Sequence, residues 1–131
     1  MSLMNRLGNA RNPYQGTHPR VLCVCSAALL RSPTAAVVLA QEPFNYNTRA
    51  AGAAPEYALV PVDEVPLSWA EMVVFMEDAH LRAVKSNPAF ARHIEGKTCV
   101  VLGVPDKYEY RHPELIELIR TRMTAALEEQ A

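Results

Sequence analysis

Short runs of apolar residues alternate along this chain with segments in which apolar positions recur at helical spacing. The apolar runs predict four strands, over residues 20–24, 46–50, 72–76 and 98–102. The intervening segments predict helices over residues 32–41, 63–69, 77–85, 88–93 and 112–128. The apolar face of the last helix consists of Leu115, Ile116, Ile119, Met123 and Leu127. Strands that alternate with helices in this way imply an α/β fold, with a parallel sheet covered on both faces.

The first part of the chain lacks this pattern. Residues 1–19 are polar and contain Gly8, Pro13, Gly16 and Pro19, which predict an irregular N-terminal arm. The alternation of strands and helices begins at residue 20, and we expect residues 20–131 to form a single domain. The chain has 131 residues, and a domain of this size buries enough apolar surface to fold without a metal or disulfide.

Composition and charge exclude several classes of protein. A formal net charge of −1 argues against nucleic acid or an anionic membrane as the main partner. Three cysteines without paired spacing indicate a reducing compartment. No apolar stretch approaches the ~20 residues needed to span a bilayer, and no signal-peptide pattern is present, so we expect a cytoplasmic protein. No metal-ligand spacing occurs among His18, His80, His93 and His112, so neither a metal nor another cofactor is predicted.

The strongest candidate for chemistry is the loop between the first strand and the first helix. Cys25 ends the strand, five small or apolar residues follow, and Arg31 precedes a Ser-Pro pair that predicts the start of a helix at Ser32 and Pro33. Inward-pointing amides of such a loop, together with a helix N-terminus, bind anions. An arginine matches two phosphate oxygens, and a cysteine thiolate is a nucleophile. The alternative is coincidence, because cysteine is also a common buried structural residue.

A carboxylate is expected at the same edge of the sheet. Asp106 follows the fourth strand, and Cys25 ends the first, so both belong to the carboxyl edge where ligands bind in such folds. A carboxylic acid there could protonate the oxygen that leaves when a phosphate ester is cleaved. The alternative for Asp106 is an exposed turn residue after a proline. Tyr108 and Tyr110 could flank an aryl substrate or could simply pack, and Leu29 could form an apolar wall at the loop rim.

The segment from Val21 to Thr34 resembles the active-site loop of the low-molecular-weight protein tyrosine phosphatases, whose signature is a cysteine, five residues and Arg-Ser-Pro-Thr. Residues 48–52, 69–80 and 104–110 resemble further parts of that family, particularly of its short bacterial and phage-type members. The likeness covers roughly residues 20–127. It implies a three-layer α/β/α fold with a four-stranded parallel sheet in the order 2-1-3-4.

The resemblance also implies roles for individual residues. It implies a phosphomonoesterase that acts on phosphotyrosine through a phosphocysteine intermediate, with Cys25, Arg31 and Asp106 as catalytic residues. The implied substrate-flanking residues are Leu29, Tyr108 and Tyr110. The implied phosphate-binding residues are Ser26, Ala27, Ala28, Leu29, Leu30, Arg31 and Ser32. The expected substrates are phosphorylated proteins or small aryl phosphates, and the expected site ligands are phosphate, sulfate and vanadate.

This chain departs from the family at three positions of the loop. Ala27 and Ala28 stand where the family often has glycine and usually has asparagine, and asparagine accepts a left-handed backbone more readily than alanine does. Leu30 replaces a frequent second cysteine, so the loop cannot form an internal disulfide. Two alternatives therefore remain open, a phosphate-binding module with little turnover and an arsenate reductase. A thiol-relay reductase needs an accessible second cysteine, whereas Cys23 and Cys99 are predicted to be buried in strands.

Overall fold

The computed structural model describes residues 18–25, 31–53, 62–105, 107 and 110–130. Its strands are β1 (Arg20–Cys25), β2 (Asn47–Gly52), β3 (Met72–Phe75) and β4 (Thr98–Val101). Its helices are α1 (Arg31–Leu39), α2 (Glu64–Trp69), α3 (Asp78–Lys85), α4 (Pro88–Ile94) and α5 (Pro113–Gln130). No helix in the described part of the chain is both long and apolar enough to cross a membrane.

The four strands form one parallel sheet in the order β2-β1-β3-β4, as the sequence predicted. Cys25 pairs with Gly52 at the carboxyl end of the β1–β2 ladder. Two hydrogen bonds continue the pairing beyond β3 and β4, since the Met76 amide donates to Val24 and the Val104 amide donates to Met76. The carboxyl ends of β1, β3 and β4 therefore lie side by side at one edge of the sheet.

Helices cover both faces of the sheet, which confirms the three-layer architecture. On one face, α1 and α5 pack on alternate strand residues in a cluster that includes Cys23, Cys25, Leu39 and Ile119. On the other face, α2, α3 and α4 pack on the intervening residues in a cluster that includes Leu22, Trp69, Phe75 and Ile94. Burial of apolar area on both sides is the main term that stabilises this arrangement.

The boundaries of the elements differ from prediction by one or two residues. The largest functional difference is at α1, which begins at Arg31, so Ser32 and Pro33 lie inside its first turn rather than at its start. The prediction placed the start of the helix from the cap preference of serine and the N-terminal preference of proline alone. The division into an arm over 1–19 and a domain over 20–131 stays a prediction, since residues 1–17 lie outside the described part.

Candidate active site

The thiol of Cys25 lies at the carboxyl end of β1, next to the first turn of α1. Its side chain is almost completely buried, with 3% of the residue surface exposed. The Cys25 carbonyl accepts a hydrogen bond of 2.7 Å from the Ala53 amide, which fixes the backbone where the strand ends. Its Sγ atom lies 3.0 Å from Oγ of Ser32, within hydrogen-bond distance. The thiol is therefore held by the strand on one side and by the helix on the other.

Ser32 is fully buried and is oriented by the sheet as well as by the thiol. Its hydroxyl also lies 3.5 Å from the Ala51 carbonyl of β2, to which it can donate. A hydroxyl can act as donor and acceptor at once, so it can contact both groups. When Cys25 is a thiolate, only donation from Ser32 to sulfur is possible, and this contact then stabilises the negative charge.

The side chain of Arg31 is held at the same edge of the sheet with 3% of its surface exposed. Its Nη1 atom donates to Oε2 of Glu77 at 2.7 Å and to the backbone carbonyl of Val104 at 2.9 Å. These two partners follow β3 and β4, so the guanidinium group bridges the carboxyl ends of both strands. Because its geometry is a fixed planar fork, binding through one nitrogen also orients the rest of the group.

Glu77 was missed by the sequence analysis, although it comes directly after a buried strand. It lies just before α3, where its amide donates to Nδ1 of the buried His80 at 3.1 Å. The carboxylate accepts from Arg31, and this hydrogen bond lowers the pKa of Glu77 below its usual value, with burial opposing the shift. The signal available in the sequence was a carboxylate at the carboxyl end of the third strand, the same signal that indicated Asp106.

The described residues include only part of the predicted site. They bring Cys25 and Ser32 into contact and place Arg31 at the same end of the sheet. They also include Tyr110, which is exposed and lies beside Arg111, with its ring centroid 6.0 Å from the guanidinium carbon. The predicted site residues outside the described part are Ser26, Ala27, Ala28, Leu29, Leu30, Asp106 and Tyr108. The roles predicted for these residues, and for Tyr110, stay predictions.

The other two cysteines differ from each other in exposure. Cys23 is completely buried as predicted, and its burial raises the pKa of its thiol strongly. Cys99 is only half-buried, so the prediction of a buried residue was wrong for it, because β4 is an edge strand of the sheet. Cys99 packs against the opposite face from Cys25, so the sheet separates the two thiols. Among the described residues, no group of three or more His, Cys, Asp or Glu side chains is arranged to hold a metal ion.

Comparisons with known proteins identify the fold. No protein-family model and no curated protein matches the sequence significantly. Wzb of Vibrio vulnificus, solved with benzylphosphonate, is 19% identical with a TM-score of 0.66, over 86% of this chain and 99% of that one. YwlE arginine phosphatase of Geobacillus stearothermophilus is 20% identical with a TM-score of 0.60, over 86% and 94%.

A low-molecular-weight phosphotyrosine phosphatase of Vibrio cholerae is also similar to this chain. It is 20% identical with a TM-score of 0.60, over 86% of this chain and 99% of that one. The chain therefore has the fold of the low-molecular-weight protein tyrosine phosphatases, and the resemblance inferred from its sequence is confirmed at the level of the fold.

Proposed function

We propose that this protein is a phosphatase that cleaves phosphate monoesters, with phosphotyrosine as its preferred substrate and Cys25 as its nucleophile. The observation that carries the proposal is the contact of 3.0 Å between Sγ of Cys25 and Oγ of Ser32, one residue from the buried Arg31. A thiol, a hydroxyl donor and a guanidinium group thus meet at the carboxyl edge of a parallel sheet, where such folds bind ligands.

The proposed reaction has two steps. In the first, Sγ of Cys25 forms a bond to phosphorus, the ester P–O bond breaks, and Asp106 gives its proton to the leaving oxygen. In the second, Asp106 accepts a proton from water, the water oxygen bonds to phosphorus, and the S–P bond breaks to return the thiolate and release phosphate. Arg31 neutralises the charge on the phosphoryl oxygens in both steps, and Ser32 stabilises the thiolate that leaves in the second.

The position of Asp106 in this scheme is supported by chain connectivity. The carbonyl of Val104 accepts from Nη1 of Arg31 at 2.9 Å, and Asp106 follows only two residues later. Asp106 itself lies outside the described residues, so its role rests on this place in the sequence and on the resemblance to the phosphatase family.

Similar structures support both the proposed phosphate-ester substrate and the proposed transfer of phosphate to the active-site residue. One of them is Wzb with benzylphosphonate, an aryl compound related to a phosphate ester. Another is a YwlE arginine phosphatase in which a cysteine is replaced by serine and the active-site serine is phosphorylated. These phosphatases include tyrosine and arginine phosphatases, so phosphoarginine is the first competing substrate to compare with phosphotyrosine.

The direct test is hydrolysis of p-nitrophenyl phosphate and of peptides with phosphotyrosine or phosphoarginine. We expect Cys25→Ser to abolish turnover, and Asp106→Asn to lower it by about 10²–10⁴, the usual contribution of a general acid. The matched control is Asp78→Asn, because Asp78 is an exposed residue of α3 that pairs only with Arg82 among the contacts described. Unchanged turnover in Cys25→Ser would refute the proposal.

A phosphate-binding module is the second candidate, favoured by Ala27 and Ala28 in the loop. In that case the wild type would not hydrolyse any of the substrates, yet phosphate or vanadate would still protect Cys25 from alkylation. An arsenate reductase with a thiol relay is opposed by the positions of Cys23, which is fully buried, and of Cys99, which lies across the sheet. Mass spectrometry after arsenate and a thiol reductant would detect that activity.

A further inference from the structure

A buried histidine contacts the residue whose carboxylate binds Arg31. His80 lies in the first turn of α3, with 5% of its surface exposed, and it binds Glu77. We propose that His80 is a positioning residue, which fixes the place of Glu77 and thereby the orientation of Arg31. The inference rests on the proposed function, since the orientation of Arg31 matters for turnover only if the site cleaves phosphate esters.

Both polar groups of the Glu77 backbone are bound by His80. The Glu77 amide donates to Nδ1 of His80 at 3.1 Å, and the Glu77 carbonyl accepts from the His80 amide at 3.1 Å. Any residue other than proline can provide that backbone amide, whereas the first contact needs an acceptor on the side chain. A side chain of the third helical residue that reaches back to the amide before the helix is one half of a capping box.

The imidazole ring of His80 is also close to the carboxylate of Glu77. Because Nδ1 accepts a hydrogen bond, the neutral ring holds its proton on Nε2. Nε2 lies 3.8 Å from Oε2 of Glu77, which is too long for a hydrogen bond but places the N–H dipole near the negative charge. Oε2 is also the atom to which Nη1 of Arg31 donates at 2.7 Å. One carboxylate oxygen is thus near both the guanidinium group and the ring.

This anchor matters because packing restrains the side chain of Glu77 little. The preceding residue, Met76, is bound to the sheet, since its carbonyl accepts from the Val104 amide at 2.7 Å. The Glu77 side chain is 42% exposed, so few surrounding atoms fix its rotamer. Without the acceptor on His80 the Glu77 amide is released, and the carboxylate shifts relative to Arg31. Arg31 keeps its hydrogen bond to the Val104 carbonyl, so we expect poorer orientation rather than loss of the whole site.

The kinetic test compares His80→Leu, which removes the acceptor, with His80→Asn, whose Oδ1 is as many bonds from the backbone as Nδ1 and can replace it. We expect His80→Leu to lower kcat for p-nitrophenyl phosphate about fivefold, the factor given by one lost hydrogen bond. His80→Asn should restore the wild-type value. If the effect passes through the carboxylate, His80→Leu should lower kcat no further in a Glu77→Ala background. Equal losses in the two backgrounds, or in the two His80 variants, would overturn the proposal.

The matched control is Asn87→Leu, which also removes a side-chain cap. Oδ1 of Asn87 accepts from the Ala89 amide at 3.0 Å at the start of α4, beyond the other end of α3. We expect this variant to have the kcat of the wild type. A loss as large as that in His80→Leu would assign the effect to helix capping in general and would overturn the proposal.

A second test does not depend on activity, so it separates failure of this inference from failure of the proposed function. The hydrogen bond from Arg31 lowers the pKa of Glu77, and NMR titration of its side-chain carboxyl carbon measures that pKa. We expect the pKa to return toward its ordinary value in His80→Leu and to stay low in His80→Asn, although both variants lack the imidazole ring. Equal values in the two variants would overturn the positioning role, whereas the expected difference in a protein without turnover would refute the proposed function alone. Should His80→Leu fail to fold, His80→Ala serves in both tests.

Discussion

Nη1 of Arg31 lies 2.7 Å from Oε2 of Glu77, and this ion pair joins the first turn of α1 to the residue before α3. The guanidinium group is almost completely buried, whereas 42% of the Glu77 side chain is exposed. The carboxylate thus orients Arg31 without being sealed from water. An arginine that must bind phosphate needs a fixed direction, because a small error in placement costs transition-state stabilisation.

The first prediction concerns this pair. Glu77→Gln keeps an oxygen acceptor but replaces a charge-assisted hydrogen bond by a weaker neutral one. We expect kcat for p-nitrophenyl phosphate to fall by about tenfold, while the affinity for phosphate changes less, because the lost negative charge favours anion binding and offsets the poorer orientation. Steady-state kinetics and phosphate inhibition measure the two effects.

Glu71→Gln is the matched control for this variant. It removes one negative charge from the ion pair between Glu71 and Arg20, which lies at the amino ends of β3 and β1, away from the candidate site. We expect its kinetics to equal those of the wild type. Equal kinetics of Glu77→Gln and the wild type would contradict the role assigned to the ion pair.

The second prediction concerns stability in acid. The hydrogen bond from Arg31 lowers the pKa of Glu77 in the folded protein, so the ion pair contributes stability above the unfolded pKa of about 4.3. That contribution is lost as the pH falls through the lower folded value. Since Glu77 is partly exposed, we expect the ion pair to contribute less than about 1 kcal/mol to the free energy of unfolding.

Urea unfolding between pH 3 and pH 7 measures this contribution. The free energy of unfolding should fall less steeply below about pH 4.5 in Glu77→Gln than in the wild type. The comparison uses the slopes below pH 5, because Nε2 of His80 lies 3.8 Å from Oε2 of Glu77 and histidines change charge near neutral pH. Parallel curves over the whole range would contradict the pKa shift.

The fold could be predicted from the sequence, but part of the site could not. Continuous apolar runs such as residues 21–24 identify buried strands because such strands are covered on both faces. Cys25 and Arg31 could be predicted as neighbours at one end of the sheet because they flank the same five-residue loop between a strand and a helix. The position of Glu77 after the third strand could have been predicted, but its contact with Arg31 could not, because that contact spans 46 residues and depends on the order of strands in the sheet. The contact between Thr34 and Arg111, 77 residues apart, was unpredictable for the same reason.

The third prediction concerns the reactivity of the cysteines. Burial raises the pKa of Cys23 and, to a smaller extent, that of Cys99. In the native protein we expect iodoacetamide to leave Cys23 unmodified and to modify Cys99 slowly. We expect it to modify Cys25, and we expect added phosphate to block that modification. Peptide mapping by mass spectrometry identifies the sites. The unfolded protein, in which all three cysteines should react, is the control, and native labelling of Cys23 would contradict the packing described.

The fourth prediction compares two glycines with similar backbones and different surroundings. Gly96 has a φ of 76° and Gly103 a φ of 69°, so alanine at either position is strained by about 1–2 kcal/mol. A Cβ atom at Gly96 would meet nothing within 4 Å, whereas at Gly103 it would lie 3.1 Å from Nη1 of Arg122. That guanidinium group donates to the Leu102 carbonyl at 3.0 Å. We therefore expect Gly103→Ala to lower the free energy of unfolding more than Gly96→Ala does.

A double-mutant cycle isolates the contact from the strain. The extra cost at Gly103 should be up to about 1 kcal/mol, the value of the hydrogen bond that Arg122 would lose. If that contact is the cause, Gly103→Ala in an Arg122→Ala background should cost no more than Gly96→Ala costs in the wild type. If Gly103→Ala still costs more than Gly96→Ala when Arg122 is replaced, backbone strain rather than the contact with Arg122 is the cause. Since Val104 follows Gly103 and binds Arg31, we also expect Gly103→Ala, unlike Gly96→Ala, to lower kcat.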